Sequence, residues 1–182
     1  MNRVRVRWVL RLGFCVLALF PMTFGHADDA RTVNWSRLIP PGWAPKPIDY
    51  KRFFSAMANG DPAVVQEEDA PVVLSLNKQH IRIPGYLVIA SWDTDPVPDV
   101  FLVPYFGSCI HTPPPPSNQV VLVHLQKPMK REEIFDHGPV WVTGTIRTDG
   151  GKTDIASAGY SMTAERVDDY DEDTYRDKEW FD

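Results

Sequence analysis

The chain has 182 residues, of which 24 are Asp or Glu and 19 are Lys or Arg, for a formal net charge of -5. That acidic balance leaves no cationic face for nucleic acid or an anionic bilayer, and the length fits one domain. With only two cysteines, Cys15 and Cys109, the chain is not a disulfide-stapled scaffold.

Taken in order, the N-terminus reads first as a targeting segment. Arg3, Arg5, Arg7 and Arg11 form a basic region ahead of an apolar stretch around Val16–Phe20 that is too short for a bilayer span. Gly25-His26-Ala27 puts small residues where a signal peptidase reads, so residues 1–27 are expected to be a signal peptide cleaved after Ala27. Phe14 stands directly before Cys15, where a lipoprotein signal needs a small residue, so no lipid anchor is expected. The alternative is an uncleaved N-terminal anchor. Cleavage removes four arginines and no acids, taking the net charge from -5 to -9 over 155 remaining residues. The expected product is a periplasmic protein without membrane insertion, in which Cys109 is unpaired, an unusual state in an oxidising compartment.

Residues 28–46 are polar and Pro-rich and read as an extended lead-in, pinned to the domain by Trp35 and Trp43. Between Pro47 and Ala58, apolar residues at Tyr50, Phe53, Phe54 and Met57 make a helical stripe stopped by Asn59-Gly60. From residue 71 the periodicity changes to that of strands: Val72–Leu76, His80–Trp92, Val100–Tyr105, Asn118–Leu125, Pro139–Ile146 and Ser157–Val167. Pro84-Gly85 and Gly144 interrupt alternating runs and mark bends. After Asp168 the chain becomes acidic with interspersed aromatics, and residues 171–182 are assigned to an acidic tail. Five or six short strands with interior glycines and a peripheral helix predict a mainly β fold. The architecture is a small, partly open OB-like β-barrel with a short N-terminal helix, spanning residues 47–170.

The stretch most suited to function is the loop between the third and fourth strands. It carries Tyr105, Phe106, Cys109 and His111, then Pro113, Pro114, Pro115 and Pro116, then Asn118. Four consecutive prolines fix φ and remove four N–H donors, which stiffens the loop and keeps it out of both strands. Three readings are open. In the first, Cys109 is a small buried residue, His111 bonds backbone groups, and the 104–118 loop is the contact surface of a non-enzymatic binding protein. Its polyproline carbonyls and ring faces suit an aromatic groove. In the second, Cys109 and His111, joined by His80, hold zinc or copper, since thiolate and imidazole are preferred ligands of both. His124 and His137 are the remaining histidines after the signal peptide, with His124 expected near Val103 and the weakest donor. In the third, Cys109 is the nucleophile of a thiol-dependent enzyme with His111 or His80 as base, although no oxyanion hole or resolving cysteine is apparent.

Pro84-Gly85-Tyr86, the run from Val103 through Pro116, Asn118-Gln119, Trp141-Val142-Thr143-Gly144 and Gly159-Tyr160 resemble the bacterial domain of unknown function family DUF3299. The resemblance extends from about Trp35 to about Tyr170. It implies an exported or envelope-associated protein and carries no activity with it. It also implies an association with ABC-type export systems, as an envelope partner, and with metal homeostasis.

Overall fold

The computed structural model describes residues 30–47, 49–59, 66–106 and 114–170. Among the described residues eight strands run in chain order: β1 Arg31–Thr32, β2 His80–Ile89, β3 Val97–Val103, β4 Val121–Met129, β5 Val140–Arg147, β6 Gly151–Lys152, β7 Ser157–Ala158 and β8 Tyr160–Asp169. Among the described residues the α-helices are α1, Tyr50–Ala58, and α2, Arg131–Asp136, with short 3-10 turns at Trp35–Leu38, Leu74–Leu76 and Ser117–Gln119.

Five strands close a barrel in the order β2-β3-β4-β8-β5, and β5 pairs back onto β2. The β4–β8 pair is parallel, and the other four junctions are antiparallel. This is a mainly β, OB-like barrel, closed rather than partly open. Closure depends on how β2 divides its edges. Residues His80–Gly85 pair with β5, and residues Tyr86–Ile89 pair with β3. The change of partner falls at Pro84-Gly85, where a proline cannot donate and a glycine permits close approach. A Cβ on Gly85 would lie 2.8 Å from Leu102 Cδ1 and from the Val103 carbonyl oxygen. The second bend is at Gly144, where the β5–β8 register shifts and a Cβ would lie 2.2 Å from the Thr163 carbonyl oxygen.

Alternation sorts side chains into two apolar layers. Ile81, Ile83, Leu102, Val121, Val123, Val142, Ile146 and Met162 fill the barrel, and Ile134 of α2 belongs to the same core. Phe101, Val103 and Leu122 point outward but are buried beneath Ala156 and Ala158, beside the β6–β7 ribbon. A Cβ on Gly151 would lie 2.6 Å from Leu122 Cδ2, so the ribbon lies directly on that face.

Several expected elements differ. Val72–Leu76 is not a strand: Leu74–Leu76 is a 3-10 turn, because the Val73 N–H is taken by the Tyr160 hydroxyl instead of a neighbouring strand. The segment Ser157–Val167 is two strands, divided at Gly159. Asn118 sits in the 3-10 turn Ser117–Gln119, before the strand that was expected to start there. Asp168 and Asp169 continue β8, paired with Trp141 and Val140. The helix α2 had no expected counterpart: it has a single buried residue, Ile134, and so no apolar stripe to announce it. Among the described side chains of α1 only Phe53 is buried, while Tyr50 and Phe54 are exposed. The signal-peptide and acidic-tail assignments, residues 1–27 and 171–182, lie outside the described residues.

The contact at Gly144 yields a direct check. Gly144→Ala is expected to lower unfolding free energy by about 3 kcal/mol, the upper end for overpacking, because backbone must move. Gly138→Ala, which meets nothing within 4 Å, should change it by less than about 0.5 kcal/mol in the same urea titration.

Candidate functional site

The connection from β3 to β4 leaves the barrel at Val103 and returns through Pro114–Pro116. Cys109, His111 and Pro113 lie outside the described residues. The two legs on either side of them have opposite characters. On the outgoing leg Tyr105 is 54% exposed and Phe106 is 74% exposed. The Phe106 ring meets Tyr86 edge-on, with centroids 5.7 Å apart, and Tyr86 is the register partner of Val103.

The returning leg is buried. Pro114, Pro115 and Asn118 are buried and Pro116 is half-buried, so the first three present little surface, unlike the exposed loop expected from sequence. The reason is a set of neutral amides and hydroxyls that take up the backbone groups of this leg. Gln66 Nε2 donates to the carbonyls of Pro115 (3.0 Å) and Ser157 (2.8 Å), while its Oε1 accepts the Ser157 N–H (2.7 Å). The Ser117 N–H donates to the Glu67 carbonyl (2.9 Å), Ser117 Oγ accepts the Ala70 N–H (3.2 Å), and its carbonyl accepts the Gly159 N–H (2.6 Å). Asn118 Nδ2 donates to the Pro71 carbonyl at 2.9 Å, and Gln119 Nε2 to the Trp35 carbonyl at 3.2 Å. Asn118 Oδ1 has no partner among the described residues.

Tyr160 completes this network. Its hydroxyl accepts the Val73 N–H (2.7 Å) and donates to the Leu38 carbonyl (2.8 Å), and the side chain is fully buried. Burial pushes its pKa up to about 12, opposed by the Val73 hydrogen bond. Trp35 Nε1 donates to the Pro84 carbonyl at 2.7 Å, which ties the lead-in to the bend in β2. Trp43, the other expected pin, is only half-buried. At the edge of the network the Lys46 N–H donates to Glu67, and the Lys46 ammonium lies 3.2 Å from the same carboxylate. That backbone hydrogen bond, with the ammonium's lesser help, holds the Glu67 carboxyl below its usual range.

The histidines are dispersed. His80 Nε2 lies 3.1 Å from Glu165 Oε2 on the outer surface, six residues before Tyr86 and thus about 20 Å of strand from the start of the loop. His124 pairs with Asp99 at 2.7 Å, its register partner, and not with the Val103 end of β3. His137 lies 3.6 Å from Asp169. Among the described residues no group of three or more His, Cys, Asp or Glu is placed to hold a metal ion.

OB domains commonly take oligonucleotides or sugars on the outer face of their second and third strands. Here that face, on β3 and β4, carries Phe101, Val103 and Leu122 and is covered by the chain's own β6–β7 region. The exposed aromatics begin at its border, since Tyr86 packs against this same outer cluster.

The fold and this site define an OB-type barrel whose usual ligand face is sealed and whose β3–β4 connection is anchored on one leg. The family model of a protein of unknown function, DUF3299, matches residues 35–169, and the chain belongs to that family. It is similar to the crystal structure of a DUF3299 family protein from Pseudomonas aeruginosa PAO1, at 39% identity and a TM-score of 0.64. That likeness covers 78% of this chain and 97% of the other. No match was found among the curated proteins.

Tyr160 gives a pH signature. A phenol whose folded pKa is raised stays neutral where the unfolded chain has begun to ionise. Its stabilisation is fully present below about pH 10 and is lost as pH rises through the folded value of about 12. Tyr160→Phe should cost about 1–2 kcal/mol at neutral pH, from the two backbone groups it orphans. The same variant should remove this share of the stability loss between about pH 10 and 12, measured by urea titration across that range.

Proposed function

We propose that this protein is a non-catalytic binding component of the cell envelope, exported to the periplasm. Its contact surface is formed by Tyr105 and Phe106 on the outgoing leg of the 104–118 connection, together with the adjoining Tyr86 of β2. Its partner is an envelope protein, such as a component of an ABC-type export system. The observation that carries this reading is the contrast between the two legs. One is fastened by buried hydrogen bonds, and the other holds Phe106 at 74% exposure beside Tyr86. Solvent-facing aromatics on a rigid base are economical in entropy and typical of interface centres. The export assignment rests on the basic and apolar pattern of residues 1–27.

Site-specific photo-cross-linking in intact cells tests it. A photoreactive residue at position 106 is expected to give one discrete adduct with an envelope protein, and the same group at exposed Lys127 should give none. Adding Tyr105→Ala should cut the adduct about tenfold without changing thermal stability. An adduct pattern identical at both positions, or one indifferent to Tyr105→Ala, overturns the reading.

A further inference from the structure

None of the residues discussed above as a contact surface lines the groove between the lead-in and the Leu74–Leu76 turn. The groove has a volume of about 610 Å³, within the range of small-molecule sites. Val33 and Leu76, 2% and 5% exposed, form its floor, with Ile39 and Val73 half-buried at its sides. Arg31 and Arg37 stand exposed at its edge. Among the described residues no Asp or Glu lines it, and the remaining polar side chains there, Ser36, Ser75 and Gln79, are neutral.

Among the described residues some surface cations are ion-paired and others, such as Lys78 and Lys127, are not; Arg31 and Arg37 differ from the latter in flanking an apolar groove. Lys46, Arg147, Lys152 and Arg166 each face a carboxylate within hydrogen-bond or ion-pair reach. Among the described residues neither Arg31 nor Arg37 has such a partner, although the chain has five more acidic than basic side chains. Both are held by local structure: Arg31 by its pairing with Ile81 in β2, and Arg37 by the 3-10 turn between buried Trp35 and Leu38.

We propose that this groove binds an amphiphilic organic anion. An aliphatic body would lie on Val33, Ile39, Val73 and Leu76, and a carboxylate or phosphate head would be held by Arg31 and Arg37. Guanidinium presents paired donors that match the planar oxygens of either head. The apolar floor gives an affinity that a bare anion cannot obtain. The net negative charge of the chain repels anions at a distance, so recognition depends on contact within the groove and weakens with added salt. This inference is independent of the proposed contact surface, with which it shares no residue.

Isothermal titration of the purified protein with decanoate, decyl phosphate, decanol and inorganic phosphate tests it. Saturable one-to-one binding is expected for decanoate or decyl phosphate, and comparison of the two identifies the head group. Decanol should bind about tenfold more weakly or worse, the loss expected for charge-assisted hydrogen bonds. Inorganic phosphate should give no heat above dilution. Arg31→Ala with Arg37→Ala should reduce the anions to the affinity of decanol, while Lys127→Ala should leave them unchanged. Equal binding of decanoate and decanol, full anion affinity in the double variant, or no saturable binding of either amphiphilic anion overturns the proposal.

Discussion

The hydroxyl of Tyr160 connects three parts of the chain that have no strand pairing with one another. It stands at the first residue of β8, accepts from the Val73 N–H and donates to the Leu38 carbonyl, so both hydrogen-bonding capacities of a buried phenol are used. In the protein interior such a bond is costly to leave unmade, which is why one side chain can position segments far apart in sequence. Around it, Gln66, Ser117, Asn118 and Gln119 repeat the same device with neutral groups. The network fastens the lead-in and the 66–73 segment across one end of the barrel. The returning leg of the proline connection is therefore a structural part of the fold.

This constraint explains the distribution of exposed and hidden surface. Pro114 and Pro115 are drawn inward because the Pro115 carbonyl meets the amide of Gln66. The Tyr105-Phe106 leg stands outward, with the Phe106 ring edge-on against Tyr86. The outer face of β3 and β4 is covered by the β6–β7 region, whose Ser157 is bonded by the same Gln66. One glutamine thus links the ribbon that seals the usual OB ligand face to the leg that returns from the proline connection.

The barrel was legible in the sequence because its determinants are periodic. Alternation in Ile81, Ile83 and Leu87, and again in Val100 and Leu102, set the inner face, and Gly85 and Gly144 marked bends that the close approaches now account for. Closure was not legible, since it depends on β2 exchanging partners at Pro84-Gly85, a tertiary event. The polar network was missed for a different reason. Gln66, Ser117 and Gln119 are neutral residues with no spacing rule, and their roles arise from backbone groups tens of residues away. The only local hint was a polar triplet, Ser117-Asn118-Gln119, directly before the apolar run Val120–Val123. Reading the prolines as outward-facing followed from polyproline geometry, which favours exposure only when nothing nearby offers a donor.

Native-state amide hydrogen exchange tests the network most directly. If the network is part of the cooperative fold, the amides of Ala70, Val73, Ser117 and Gly159 should exchange only through global unfolding. Their protection should then match that of Val123 and Val142 in the barrel. Exchange of those four amides at the rate of open loops, with the barrel amides still protected, would contradict the account.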